Sequence, residues 1–244
     1  MDIPFPHGGP AALEREAELW RIGLRRATAI FLLPFAGGAV LGGLFVLYRP
    51  LFDFMVREDS VIEWATAVAF LVTSVLAGLL ARGLWRQRRR KYAVLFACFT
   101  LACFLAAGEE ISWGERLFGF AGPDSVRDAN VQAELTFHNL GGVFHFYLLG
   151  QLAVGLYGSL GPLIVHRRTH RRPTLRASLL VPPLFLSSGF LLLALHRLSR
   201  DYGHVPVTRI GEWAELCVAC ALAFFVGLNV RRIRSEARVG GPAS

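Results

Sequence analysis

The chain has 244 residues, of which 54% are hydrophobic and 18% are charged, with a mean hydropathy of +0.45. These values exclude an ordinary soluble domain of this length and indicate an integral membrane protein. The formal net charge of +8 comes without a basic face interleaved with aromatic residues, so nucleic acid is not a predicted partner. Membrane lipids are the predicted partners, because basic residues suit anionic headgroups.

The first 26 residues precede the long apolar stretches. Residues 1–10 contain several Pro and Gly residues and are predicted to be a disordered tail. Residues 11–26 place Leu13, Ala17, Trp20 and Leu24 on one stripe among charged residues. This pattern predicts an amphipathic helix that lies on the membrane surface.

Six apolar stretches lie between residues 27 and 231, each near the roughly 20 helical residues that cross a hydrocarbon core. They are Ala27–Tyr48, Val61–Ala81, Tyr92–Gly108, Leu140–Val165, Ala177–His196 and Ile210–Val230. The pattern predicts one all-α, polytopic domain of six transmembrane helices, followed by a basic tail at 232–244. The third stretch is short unless its helix continues beyond Gly108, which would bring Glu109 and Glu110 into the helix.

The distribution of basic residues predicts the orientation, because Lys and Arg flanking a span are retained in the cytoplasm. Of the 26 Lys and Arg residues, 19 lie before the first stretch, after the second, after the fourth or after the sixth. The other 7 lie in the three remaining connections. This alternation predicts that both termini are cytoplasmic.

The acidic residues show the opposite bias, since 13 of the 18 fall on the predicted extracytoplasmic side. Several ionisable side chains lie within a turn or two of a predicted helix end: Glu63, Glu109, Glu110, His138, His145, His196, Glu212 and Glu215. A charge that faces lipid costs roughly 3 kcal/mol on insertion scales. We therefore expect a polar chamber near the extracytoplasmic ends of helices two to six, with the loop at 114–137 as a partly buried lid.

Glu134, His138 and His145 fall on one stripe of the fourth helix if that helix begins before Glu134. With His196 they form the candidate ligand set for a divalent metal, either zinc or iron or manganese. Such a metal would lower the pKa of a bound water. Glu110 is then the candidate general base, and Glu109 and Arg116 complete the candidate catalytic set.

Seven further polar residues are predicted to support this chamber: Glu63, Asn130, Gln132, Asn139, Arg200, Glu212 and Glu215. No Gly-rich phosphate loop is found in the sequence, so a nucleotide cofactor is not predicted.

Two other interpretations of the same residues stay open. Glu109 and Glu110 lie at a helix C-terminus, where the helix dipole disfavours carboxylates, and Arg116 or Arg200 could pair with them in an ion-pair lattice. Glu63, Glu212 and Glu215 lie at helix N-termini, where carboxylates are favoured without any ligand. In the other interpretation, these charged residues occupy ordinary surface positions and bind neither a metal nor an arginine.

The segment from Gly108 to Asn139 reads G-E-E-I-S-W-G-x-R, then N-x-Q-x-E-x-x-x-H-N. It resembles a pattern found in uncharacterised bacterial multi-pass membrane proteins. The resemblance implies a location in the bacterial inner membrane and no particular activity.

Two characterised families are distantly similar. CAAX-type intramembrane proteases carry E-E-x-x-x-R, but here Gly114 stands at the Arg position and Arg116 comes two residues later. Alkaline ceramidases hold zinc with S-x-x-x-H and H-x-x-x-H, whereas His138 and His145 here are spaced seven apart and the H-x-x-x-H from His166 to His170 lies in the predicted cytoplasmic connection. Both similarities imply only a comparable chamber chemistry.

Three functions follow as hypotheses. The first is a metal-dependent hydrolase of a lipid or lipid-linked substrate that enters from the outer leaflet. The second is a non-catalytic subunit, docked to another membrane protein or a second copy of the chain through buried Glu, Arg and His pairs. The third is a transporter or proton-coupled channel, which the scarcity of ionisable residues in the inner halves of the spans disfavours.

Overall fold

The computed structural model describes residues 10–57, 60–120, 122–130, 135–137, 140, 143–168, 175–199 and 209–239. Within these residues the regular structure is helical, and the one β-type pairing is an isolated bridge between Asn130 and Leu140. The α-helices are α1 (Pro10–Leu19), α2 (Leu24–Leu47), α3 (Arg49–Val56), α4 (Val61–Arg86), α5 (Arg90–Glu110), α6 (Glu115–Phe118), α7 (Asp124–Ala129), α8 (Phe144–Arg168), α9 (Leu175–Leu180), α10 (Ser187–Ser199) and α11 (Gly211–Val239).

Six helical segments of the described chain are long and apolar enough to cross a membrane. They are Leu24–Leu47, Arg49–Arg86, Arg90–Glu110, Phe144–His166, Ala177–Ser199 and Gly211–Ala237. The predicted all-α fold with six spans is therefore confirmed. The cytoplasmic placement of the termini stays a prediction.

The long helices bring their charged ends together at opposite ends of the bundle. One end, which we call the acidic end, holds the starts of α4 and α11 and the last turn of α5, with Glu63, Glu212 and Glu110. At the other end, which we call the basic end, Arg89 of the α4–α5 turn pairs with Glu236 of α11 at 3.2 Å. Gln87 of the same turn donates to the Ile233 carbonyl at 3.2 Å.

The main core forms where α4 and α10 each pack against α11. Buried residues such as Leu80, Leu84, Phe190 and Val226 belong to one apolar cluster, joined by Ala17 from α1. By contrast, α2 has few buried residues and exposes large side chains such as Leu33. In a membrane protein, lipid rather than water faces such a surface.

Two contacts fix α2 and α3 to the start of α11 at the acidic end. The Trp213 indole donates to the Pro34 carbonyl at 2.9 Å, and a Cβ added at Gly37 would lie 2.0 Å from the Trp213 ring. Arg209 pairs with Asp53 of α3 at 3.1 Å. The glycine thus lets the indole reach the backbone of α2.

The fifth span is interrupted at Pro182 and Pro183, between α9 and a short 3₁₀ turn at Leu184–Leu186. Proline has no N–H, so the helical hydrogen-bond ladder cannot pass through these residues. Glu16 of α1 accepts hydrogen bonds from the Leu184 backbone N–H and from the Trp20 indole. This buried carboxylate therefore joins α1 to the point where the fifth span resumes.

The helix predicted for residues 11–26 is shorter in the structure, since α1 ends at Leu19 and α2 begins at Leu24. Its predicted stripe packs against the bundle, with Ala17 buried and Leu13 and Trp20 against the main core, whereas Leu24 is exposed. The placement of α1 on a membrane surface stays a prediction.

Helices α8 and α10 approach each other closely along a glycine face. A Cβ added at Gly158 would lie 2.2 Å from Cγ of Phe190, and one added at Gly155 would lie 2.8 Å from the Ala194 backbone N. Small residues at such positions let two helix backbones pack together in a membrane.

We expect Gly158→Ala to lower the free energy of unfolding by about 1–3 kcal/mol, because the added methyl group overpacks the contact with Phe190. Gly150→Ala on the same helix is the control, since nothing lies within 4 Å of its added Cβ. Chemical denaturation in detergent measures both variants. Equal stability of the two variants would contradict the close contact.

Glu16 generates a pH-dependent prediction. Burial raises the pKa of the Glu16 carboxyl, while the hydrogen bonds from Leu184 and Trp20 lower it in part. A raised folded-state pKa means that the contribution of this group to stability is complete below the unfolded pKa and is lost as pH rises through the folded pKa. Glu16→Gln should therefore gain stability relative to wild type as pH rises from about 4 to about 8.

Thermal melts across this pH range test the Glu16 prediction. Glu18→Gln is the matched control, because Glu18 lies on the same helix with an exposed side chain. A stability difference between Glu16→Gln and wild type that stays constant with pH would show that the prediction is wrong.

Candidate functional site

The adjacent glutamates Glu109 and Glu110 lie in the last turn of α5, as the sequence predicts if the third helix continues beyond Gly108. Successive residues of an α-helix point about 100° apart. Glu109 faces the following loop: its Oε1 accepts from Trp113 Nε1 at 2.7 Å and its Oε2 from the Phe137 backbone N at 2.7 Å. Glu110 instead interacts electrostatically with residues of α4, α10 and α11. The two carboxylates therefore serve different neighbours.

The loop begins with a left-handed turn. Ser112, Trp113 and Gly114 have φ values of 46°, 54° and 79°, a region that L side chains rarely adopt. The Trp113 ring lies over Gly108, where an added Cβ would come within 2.9 Å of it. The G-E-E-I-S-W-G stretch thus works as a structural unit in which Gly108 makes room for the indole and Glu109 accepts its N–H.

The buried side chains of Glu115 and Asn130 form hydrogen bonds that stabilise the loop. The buried Glu115 accepts from the Gly122 backbone N at 2.8 Å and from the Leu135 backbone N at 2.9 Å. The buried Asn130 side chain donates to the Thr136 carbonyl at 2.6 Å and to its Oγ1 at 2.9 Å. Asn130 is one of the predicted supporting residues, whereas Glu115 is not among the predicted site residues, although an acid between Gly114 and the apolar Leu117 and Phe118 indicates a special role.

Four carboxylates and one guanidinium meet at the acidic end, and we call them the acidic cluster. Its members are Glu63, Glu110, Arg197, Glu212 and Glu215, which come from α4, α5, α10 and α11. Glu63 lies in the first turn of α4, where its backbone N–H donates to the Ser60 hydroxyl at 3.2 Å. The helix dipole favours the carboxylates at the N-termini of α4 and α11 and disfavours Glu110 at the C-terminus of α5.

The ion pair between Arg197 and Glu215 crosses from α10 to α11. Both side chains are well buried, with 9% and 14% of their surface exposed. The Tyr147 hydroxyl donates to the other Glu215 oxygen at 3.3 Å, and Gln151 Nε2 donates to the Tyr147 hydroxyl at 2.6 Å. This network joins α8, α10 and α11.

Arg197 and Tyr147 are not among the site residues predicted from the sequence. Tyr147 and Gln151 are four residues apart, which places them on one face of α8, and Arg197 follows the predicted site residue His196. These spacings were the available signals.

Glu110 interacts electrostatically with three other carboxylates, those of Glu63, Glu212 and Glu215, and with the Arg197 guanidinium. Among the described residues Glu110 has no hydrogen-bond donor, although it lies partly buried among other carboxylates. Two buried atoms of the network around Glu215, Arg197 Nε and Gln151 Oε1, also have no hydrogen-bond partner in the described part of the chain. Buried polar groups normally find partners, so this region has the capacity to bind a further group.

The predicted metal ligands are only partly described. His145 is exposed on α8 with its ring against Phe144, whereas Tyr147 two residues later bonds to the acidic cluster. His196 is buried at the end of α10, and a Cβ added at Gly211 would lie 2.7 Å from its ring. His145 therefore lies on a different face of α8 from Tyr147, which bonds to the acidic cluster.

Several predicted site residues lie outside the described residues: Gln132, Glu134, His138, Asn139 and Arg200, together with the side chain of Arg116. Within the residues that are described, no group of three His, Cys, Asp or Glu side chains has the geometry of a metal site. The predicted divalent metal stays a prediction.

Comparison of this chain with protein-family models, with curated proteins and with solved structures finds no match.

The buried ion pair generates a prediction about stability. Arg197→Met leaves Glu215 buried without its guanidinium, and we expect a loss of about 3–5 kcal/mol in the free energy of unfolding. The double variant Arg197→Met/Glu215→Leu removes both charges and should recover most of this loss. Denaturant unfolding in detergent measures the cycle. A double variant as unstable as the single one would contradict the pairing.

Proposed function

We propose that this integral membrane protein binds a cation in the acidic cluster. With the cation bound, the cluster would be the active site of a hydrolase of lipid or lipid-linked substrates. The observation that carries the proposal is Glu110, a carboxylate among three others that has no hydrogen-bond donor in the described residues. The protein would lie in a bacterial inner membrane with the acidic end outside. The accumulation of Lys and Arg at the other connections supports this orientation.

The sign of the charge narrows the class of ligand. The carboxylates around Glu110 repel phosphate and carboxylate groups, and this repulsion is stronger where water is partly excluded. A cation relieves it. Carboxylate oxygens are ligands for magnesium, calcium and manganese, and they also bind zinc and iron. The sequence also predicts a divalent metal, but with Glu134, His138, His145 and His196 as its ligands. The described carboxylates do not form a metal site of three side chains, so water molecules would complete the coordination of a cation held at Glu110.

The roles of the residues in such a reaction follow from their positions. A bound divalent cation would supply a Lewis acid and a water of lowered pKa. One oxygen of Glu110 would hold the cation and the other would take a proton from the attacking water. The hydroxide would add to the ester carbonyl carbon, the bond from that carbon to the alcohol oxygen would break, and the proton would pass to the leaving alcohol. Arg197 and Tyr147 hold Glu215 in place and keep one side of the cluster fixed.

The ion pair between Arg197 and Glu215 favours a second function. A buried network that joins three helices through Tyr147 and Gln151 is what a non-catalytic subunit requires to keep its polar groups satisfied within a membrane complex. In that case the acidic cluster has a structural role only, and it binds no cation.

Cation binding to the purified protein separates the two functions. Wild type, Glu110→Gln and the control Glu18→Gln are supplemented in turn with zinc, manganese, iron, calcium and magnesium, and their metal content is measured by mass spectrometry. We expect wild type and Glu18→Gln to retain one of these metals and Glu110→Gln to lose it. A cation at 100 times its Kd should also raise the unfolding free energy of wild type by about 2.7 kcal/mol.

Thermal melts without added metal establish that Glu110→Gln is folded. Folded wild type that takes up none of the five metals would overturn cation binding and leave the subunit function. Uptake that is equal in wild type and Glu110→Gln would place the metal elsewhere and overturn the proposed role of Glu110.

A further inference from the structure

We propose that Leu117, Phe118 and Phe120 form a lipid anchor, which inserts among the acyl chains of the leaflet at the acidic end. Leu117 and Phe118 are 61% and 75% exposed, and Phe120 is also exposed. Large apolar side chains grouped in this way on a protein surface mark a site of interaction. This inference concerns a surface outside the acidic cluster and does not depend on the proposed hydrolase.

The anchor continues a surface that already faces lipid. Helix α5 crosses the membrane and exposes Leu101, Phe104 and Leu105 towards its acidic end. Leu105 lies about 7.5 Å of helix rise before Glu110, and α6 begins five residues after Glu110. The exposed side chains of α6 thus follow the exposed apolar residues of α5 closely along the chain, and the proposal places them at the level where the acyl chains meet the headgroups.

Hydrogen bonds hold the backbone around the anchor in place. Glu115 precedes it and bonds to the backbone of Gly122 and Leu135. Gly119, with a φ of 65°, ends α6, and the Phe120 backbone N donates to the Glu115 carbonyl at 3.2 Å. Side chains held in this way insert into lipid without the entropy cost of ordering a flexible loop.

The neighbouring α7 exposes charged side chains where α6 exposes apolar ones, and this contrast indicates which of the two helices faces lipid. Asp124 and Asp128 are exposed on this helix. Carboxylates remain in water, whereas Leu and Phe side chains gain by leaving it. The loop thus presents α6 to lipid and α7 to the aqueous side.

Tryptophan substitution measures the depth of the anchor in proteoliposomes. Phe118→Trp is compared with Val72→Trp, which lies on the exposed side of α4 about 16 Å from the start of that helix, and with Asp124→Trp on α7. The added emission over wild type is quenched with lipids brominated at several acyl positions and with aqueous iodide.

We expect bromines near the top of the acyl chain to quench Phe118→Trp most strongly, and iodide to quench it several-fold less than Asp124→Trp. Val72→Trp should respond best to bromines deep in the chain. Phe118→Trp that is quenched by iodide as strongly as Asp124→Trp would overturn the proposal. Protection of Phe118→Trp from both quenchers would also overturn it, because a protein partner would then cover this surface. Leu117→Trp repeats the test if Phe118→Trp fails to fold.

Discussion

The cost of holding ionised groups at a membrane boundary is the constraint on which the acidic end depends. Carboxylates from three helices meet one arginine there, and the Arg197–Glu215 pair, with Tyr147 and Gln151 beyond it, accounts for part of their charge. Breaking such a pair is costly because one charge remains buried. Glu110 lies in the last turn of α5, where the helix dipole disfavours a carboxylate, and it is the side chain at which a cation would be held.

Three other glutamates meet the same constraint in a different way, by accepting hydrogen bonds from backbone N–H groups. Glu16 accepts from Leu184 after the proline break, Glu109 accepts from Phe137, and Glu115 accepts from Gly122 and Leu135. Each bond lies where a helix or loop leaves a backbone amide without a helical partner. Glutamates that look alike in the sequence therefore divide into those that complete the backbone and those that face each other.

Hydrophobic stretches alone predict the six spans, because their length is set by the bilayer. The convergence of Glu63, Glu110, Glu212 and Glu215 also follows from the sequence, since charges at one depth avoid lipid. The division of labour between Glu109 and Glu110 does not, because it depends on the left-handed turn at Ser112–Gly114. Arg197 and Tyr147 were missed for a related reason: the direction in which each helix points its side chains is set by packing between α8, α10 and α11.

An experimental density map of the protein in lipid nanodiscs, prepared with and without manganese, tests the central claim most directly. The account predicts a density feature, present only with manganese, within coordination distance of Glu110 and at least one of Glu63, Glu212 and Glu215. An unchanged map in which the Glu110 carboxylate bonds directly to an arginine would contradict cation binding and would make the cluster a purely structural ion-pair network.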